Sequence, residues 1–254
     1  MGFELRKALK AGVGFFTTIP INAGLEEFET LSRHVYLFPL FGFIMGAVIG
    51  SFGYLLQPAL LPGITSISLI CLLYLITGVN HLDGLADFAD GVAAQGTKEE
   101  KIAVMRDPRL GAGGVLLCTV NILALFSTLW AIADLRMPAL LFKLMVIAET
   151  AAKLSMVIII IWGRSTHRGF GSAMVEHSKK RDFIAALFFS ALIAYIALDI
   201  YGIAILFSSA ISALLILHIA NRNFGGVSGD VMGAANEIGR LVALFAGVIA
   251  CTRY

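Results

Sequence analysis

Apolar blocks about as long as a bilayer is thick recur along this chain, at residues 36–56, 64–80, 113–133, 139–162, 183–198, 203–221 and 240–253. A helix needs about 20 apolar residues to cross a hydrocarbon core. Inside that core it must satisfy its own backbone N–H and C=O groups. Such blocks therefore predict an all-α fold, a polytopic membrane helical bundle. The blocks at 183–198 and 240–253 are short, so about six to seven transmembrane helices are expected. The 254 residues are 58% hydrophobic and only 14% charged, where soluble domains carry about 25% charge. The first block, "GFIMGAVIGSFG", is rich in small residues, as close helix–helix approach in lipid requires.

Charge placement orients the bundle. Lysine and arginine gather on alternate connections, 15 against 2, with Lys143 and Lys153 inside spans. Arg240, at the edge of the last apolar block, is counted here with the connection before it. The positive-inside rule then puts the N-terminus and the connections 81–112, 163–182 and 222–239 in the cytoplasm. The opposite connections, such as "QPALLPG" and "DIYG", have nothing that could do chemistry. The N-terminal "MGFELRKALKAGVGFFTTIPI" carries Glu4 and lacks a cleavage site, so it is expected to be retained, as an interfacial helix. A net charge of +2 gives no reason to expect nucleic acid as a partner. Cys71, Cys118 and Cys251 lie in apolar stretches without CxxC spacing and are expected to be buried thiols. With no repeat or linker, residues 1–254 form a single domain.

The polar chemistry is concentrated in three cytoplasmic runs. In "HLDGLADFADG", residues 81–91, Asp83, Asp87 and Asp90 share one helical face within an arc of about 60°. The apolar Leu82, Leu85, Ala86, Phe88 and Ala89 are expected to bury the other side. Like charges this close repel unless a cation lies between them. Hard oxygen donors favour Mg²⁺, Mn²⁺ or Ca²⁺, and Mg²⁺ pairs one or two carboxylates with substrate phosphates. The cluster therefore predicts a metal site for a phosphorylated substrate, a diphosphate above all. In "MRDPRLGAGG", residues 105–114, Arg106 and Arg109 flank a Pro-broken turn leading into a span. Guanidinium forks and free N–H groups at a helix start both suit phosphate oxygens. In the third run, "NRNFGGVSGDVMGAANEIGR", Asp230 and Glu237 are seven residues apart on one helix face, and are expected to form a second wall of the same pocket.

Within the fourth span Glu149 and Lys153 form an i,i+4 pair, either functional or self-neutralising. His81 precedes the acidic cluster, as a base or as a partner behind it. His34, His167, His177 and His218 read as ordinary loop or helix-end residues.

The motifs "HLDGLADFADG", "RDPRLGAGG" and "GGVSGDVMGA", in that order, together with "FFTTIPI" and "SRHVYLFPLFGFIMG", resemble the cobalamin synthase family, the adenosylcobinamide-GDP ribazoletransferases. The resemblance covers nearly the whole chain. Thr18 stands where a basic residue is commoner, and Ser228 where Thr is. The resemblance implies joining of adenosylcobinamide-GDP to α-ribazole or its 5′-phosphate, with release of GMP and with Mg²⁺ as cofactor. The site would face the cytoplasm from the cell membrane, in contact with lipid, and association of copies is left open. Metal would be held by Asp83, Asp87 and Asp90, and the hydroxyl proton taken by Asp90, His81 or Asp87. Arg106, Arg109, Asp107, Lys153, Asp230 and Glu237 would contact substrate.

Two other readings compete. "DFADGVAAQ" partly resembles the CDP-alcohol phosphotransferase motif, but has Gln95 in place of arginine and lacks the downstream aspartates. A cation transporter would use the acids as an ion site, although transporters place such sites at mid-membrane.

Overall fold

The computed structural model describes residues 2–166 and 170–251, and these form eleven α-helices. In chain order they are α1 (Gly2–Phe16), α2 (Leu25–Ser32), α3 (Phe38–Leu56), α4 (Pro62–Thr77), α5 (Asn80–Ala93), α6 (Lys98–Met105), α7 (Ala112–Asp134), α8 (Pro138–Trp162), α9 (Phe170–His177), α10 (Lys180–Phe224) and α11 (Gly229–Cys251). Apart from one bridge between Ser165 and Val227, the described residues contain no β-structure. His167 and Arg253 lie outside the described residues.

Five of these helices are long and apolar enough to cross a membrane, or six if α4 and α5, bent by 94°, count as one broken span. Proline opens α3, α4 and α8 in the first turn, where its missing N–H costs no bond. The expected blocks at 183–198 and 203–221 are joined in α10, which breaks at Leu198 and Asp199. A Cβ on Gly202 would collide with the backbone of Ala194, whereas in a straight helix these residues would be about 12 Å apart. The chain therefore doubles back there, and α10 is a hairpin of two arms. α11 begins well before its expected block, at Gly229, so most of the supposed 222–239 connection is helix.

The core is built around α8, almost wholly enclosed by its neighbours. α3 reaches it through a stripe of glycines. Added Cβ atoms at Gly46 and Gly50 would lie 2.6 Å from the Met145 carbonyl and 2.9 Å from that of Phe142. Small residues at four-residue intervals let two backbones touch, the packing that substitutes in lipid for a hydrophobic driving force. One end of the bundle is tied off by Gln57 and Arg136. The Gln57 amide donates to the Ala133 carbonyl at 2.8 Å, and Arg136 Nη1 donates to the carbonyls of Gln57 and Leu60 at 2.9 Å each.

The other end carries α5, α6, α9 and the starts of α7, α10 and α11. Thr97 and Glu100 form a reciprocal capping box that starts α6. The amphipathic α1 lies beside α2 through the Lys7–Glu26 and Lys10–Glu27 pairs. The cysteines depart from expectation: Cys71 is exposed, and Cys118 and Cys251 are half-buried. All three are free thiols, and Cys71 sits on the apolar outer surface of α4.

Candidate functional site

α5 meets α11 at a crossing made of two glycines. A Cβ on Gly84 would lie 3.0 Å from Asp230 Cα, and one on Gly233 would lie 3.0 Å from the His81 carbonyl. Without side chains at these two positions the helices come close enough to bring Asp230 against the acidic face of α5. Among the described residues the charges acting on Asp87 are those of Asp230, Asp83 and Asp90, all negative. The second wall expected from the third polar run is thus present through Asp230, whose Oδ2 accepts from the Ser228 hydroxyl at 3.1 Å.

The three aspartates of α5 do not share one environment. Asp83 is exposed, Asp87 half-buried and Asp90 buried, because the helix descends into the bundle. Asp90 Oδ2 accepts from the Gly111 N–H at 2.7 Å, and Oδ1 from the Gly114 N–H at 2.9 Å. α7 starts at a glycine that has no side chain to cap it, so a carboxylate from another helix supplies the acceptors its first N–H groups need. Both oxygens of Asp90 are committed there. These bonds give Asp90 a positioning role at the start of α7 that its spacing with Asp83 and Asp87 does not announce.

Asp83, Asp87 and Asp230 remain as carboxylates not committed to α7. Among the described residues no three His, Cys, Asp or Glu side chains are gathered tightly enough to hold a metal as they stand. The donor set is nonetheless all-oxygen, no cation among the described residues acts on Asp87, and Asp83 and Asp87 are open to solvent. These residues fit a hard cation such as Mg²⁺ that shares its shell with water and phosphate.

Two other expectations change. Lys153 and Glu237 were expected to touch substrate, yet both are buried in a network deeper in the bundle. Lys153 Nζ donates to Asn236 Oδ1 at 2.6 Å and lies 3.6 Å from Glu149 Oε2. Arg240 Nε donates to Glu149 Oε1, and Arg240 Nη1 lies 2.7 Å from Glu237 Oε1 as an ion pair not aligned for a hydrogen bond. The Tyr74 hydroxyl donates to Glu237 Oε2 at 3.0 Å. Two acids thus meet two cations, and Arg240, counted with a connection, is a core residue. Nothing in the local sequence marked it, since its partners come from α8 and one turn back on α11.

His81 is also buried, with ring centroids of Phe15 and Phe16 each 6.2 Å away, and its Nδ1 has no partner among the described residues. Enclosed this way, it is not an open base. His34 and His177 take helix-end roles, bonded at 2.8 Å to the Thr30 carbonyl and at 2.7 Å to the Ser32 hydroxyl.

In the 105–114 turn, Arg109 turns back on Asp107, with Nε to Oδ1 at 3.0 Å and Nη2 to Oδ2 at 2.7 Å. The guanidinium holds the Asp107 carboxyl down to about 2. Arg106 is exposed and has no partner among the described residues. It is the uncommitted cation of that run.

A cluster of carboxylates at one end of a bundle of long apolar helices marks a multi-pass membrane protein with its polar chemistry at that end. Residues 8–248 match the family described as Cobalamin-5-phosphate synthase, and the chain belongs to that family. Membership places it among the transferases of cobalamin biosynthesis. A protein of Methanocella arvoryzae named adenosylcobinamide-GDP ribazoletransferase is 37% identical, over 96% of each chain. Proteins of the same name from Methanosarcina barkeri and Geotalea daltonii are 33% and 32% identical, over 93% and 89% of this chain and 90% of each of theirs. No solved structure matches.

Proposed function

We propose that this chain joins adenosylcobinamide-GDP to α-ribazole or its 5′-phosphate, releases GMP, and depends on Mg²⁺. The site would open to the cytoplasm from a single domain in the cell membrane. The observation that carries this reading is the meeting of Asp83, Asp87 and Asp230 at the α5–α11 crossing, in a chain whose relatives bear that name.

Asp83 and Asp230 would hold the cation, which when bound supplies neutralising charge to the diphosphate. The rest falls to the chain. Asp87, flanked by the other two carboxylates, orients the ribose hydroxyl and receives its proton as the hydroxyl oxygen attacks the corrinoid-side phosphorus. The bond from that phosphorus to the bridging oxygen breaks, and GMP departs with that oxygen. Arg106 offers a guanidinium to the charge building on the leaving phosphate. Asp90 holds the start of α7, and with it the 105–114 turn, in place.

The test is incubation of the purified protein with adenosylcobinamide-GDP and α-ribazole over a range of Mg²⁺. GMP release that requires Mg²⁺ is expected, and absence of release at every Mg²⁺ concentration would overturn the reading.

A further inference from the structure

The loop that leads into Asp230 also forms part of the wall of a cleft opposite in character to the carboxylate cluster. After α8 the chain pairs with this loop: Val227 N donates to the Arg164 carbonyl at 2.7 Å, and Thr166 N to the Val227 carbonyl at 3.1 Å. Gly225 ends α10 in the left-handed conformation, φ +75°, and packs beside the Lys98 side chain. The cleft, of about 410 Å³, is lined by Lys98, Trp162, Arg164, Asn221 and Gly225. It holds two cations and no carboxylate. Lys101 braces it from behind, donating to Asn223 Oδ1 at 2.9 Å and to the Val92 carbonyl at 3.3 Å. Trp162 packs edge-on against Phe183, with centroids 4.4 Å apart, and stays 45% exposed. Asp230 is only five positions beyond Gly225, so cleft and carboxylate cluster are at most about 18 Å apart.

We propose that this cleft seats the nucleoside monophosphate portion of the substrate, the part that leaves, an assignment that rests on the transferase reading above and gives the departing nucleotide its place. Lys98 and Arg164 meet phosphate oxygens, for which an ammonium and a guanidinium fork are the matching donors. Trp162 offers its ring to the base, as flat aromatic groups do wherever nucleobases are held without a duplex. The Asn221 amide offers a donor and an acceptor to the base edge. A lipid phosphate at the bilayer surface shares the cation chemistry. It has no use for the amide, however, and would need an adjoining apolar groove, whereas Trp162 is the single apolar side chain in the lining. The carboxylate cluster and the cleft thus divide one ligand, two sites of opposite charge. The acidic one takes the reacting phosphorus and its metal, and the basic one takes the nucleotide.

The chain has two tryptophans, so a Trp130→Phe background isolates Trp162 emission; Trp130 lies far off, beside Gly63 on α4. GDP titrated into the full chain in neutral detergent with EDTA should quench that emission saturably. Lys98→Met with Arg164→Gln should weaken GDP binding at least tenfold, and should raise KM for adenosylcobinamide-GDP more than it lowers kcat. If the double variant does not fold, the GDP titration in the Trp130→Phe protein decides alone. Absence of a GDP response would overturn the assignment, as would a response to phosphatidylglycerol micelles but not to GDP, or unchanged GDP affinity in a folded double variant. Wild-type protein that releases no GMP from adenosylcobinamide-GDP and α-ribazole would instead overturn the transferase reading. Normal release together with unaltered GDP binding in the double variant would overturn the cleft assignment alone.

Discussion

α11 carries two groups of ionised side chains two turns apart, and they follow opposite rules. At its start Asp230 joins Asp83 and Asp87, and among the described residues every charge acting on Asp87 is negative. Deeper in, Glu237 and Arg240 join Glu149 and Lys153, and each acid has a cation within 2.7 to 3.6 Å. Burial alone does not separate the groups by role; compensation does. A buried charge without a partner is expensive, so the inner group is balanced and knits α8 to α11. In the outer group no cation among the described residues acts on Asp87, and Asp83 and Asp87 are open to solvent. The paired acids of the core hold the bundle together, and the clustered acids at its end stand where a ligand can reach them.

Removing one partner from the inner group should have the largest effect. Arg240→Met leaves two buried carboxylates without their guanidinium, a loss of about 3–5 kcal/mol. The expected outcome is loss of folded protein, read by yield and by size-exclusion profile in detergent. Wild-type thermal stability in this variant would break the contrast drawn here.

Forcing the crossing apart should cost less. Gly84→Val places a side chain against the Asp230 backbone, and overpacking of this kind costs about 1–3 kcal/mol. Turnover should fall further than stability, because Asp230 moves away from Asp87. Asp90→Ala removes the acceptors at the start of α7, a cap worth about 1 kcal/mol. A modest drop in melting temperature with residual, still Mg²⁺-dependent turnover would mark Asp90 as a positioning residue. Complete loss of activity at unchanged stability would return it to the reacting group.

The smallest effect is expected from Asp107→Asn. Asp107 and Arg109 form a surface pair, with the Arg109 side chain 86% exposed, and such pairs contribute little. Melting temperature should not change measurably, and turnover should stay near wild type.

Much of the architecture was legible in the sequence, because it depends on properties that neighbours along the chain share. Apolar blocks marked the spans, the stripe of glycines around Gly46 marked the contact with α8, and the three-and-four spacing of the α5 acids marked one helix face. What was not legible depends on residues distant in sequence. Asp90 reads like Asp83 and Asp87 until α7 is seen to begin 21 residues later against it. Arg240 reads as a connection charge because Glu149 is 91 residues away. Asp230 and Glu237 share a periodicity, but seven residues along α11 separate a half-buried position at the carboxylate cluster from a buried one in the core. Lys98, Trp162, Arg164 and Asn221 belong to three separate helix ends, and no local pattern joins them.

The central claim is that the outer carboxylates serve chemistry and not folding, and Asp87→Asn tests it most directly. Melting temperature and Mg²⁺-dependent GMP release should be measured on the same purified sample. The account predicts a protein as stable as wild type, or more so once carboxylate repulsion is relieved, with GMP release abolished at every Mg²⁺ concentration. Near-wild-type GMP release, or a protein that no longer folds, would contradict it.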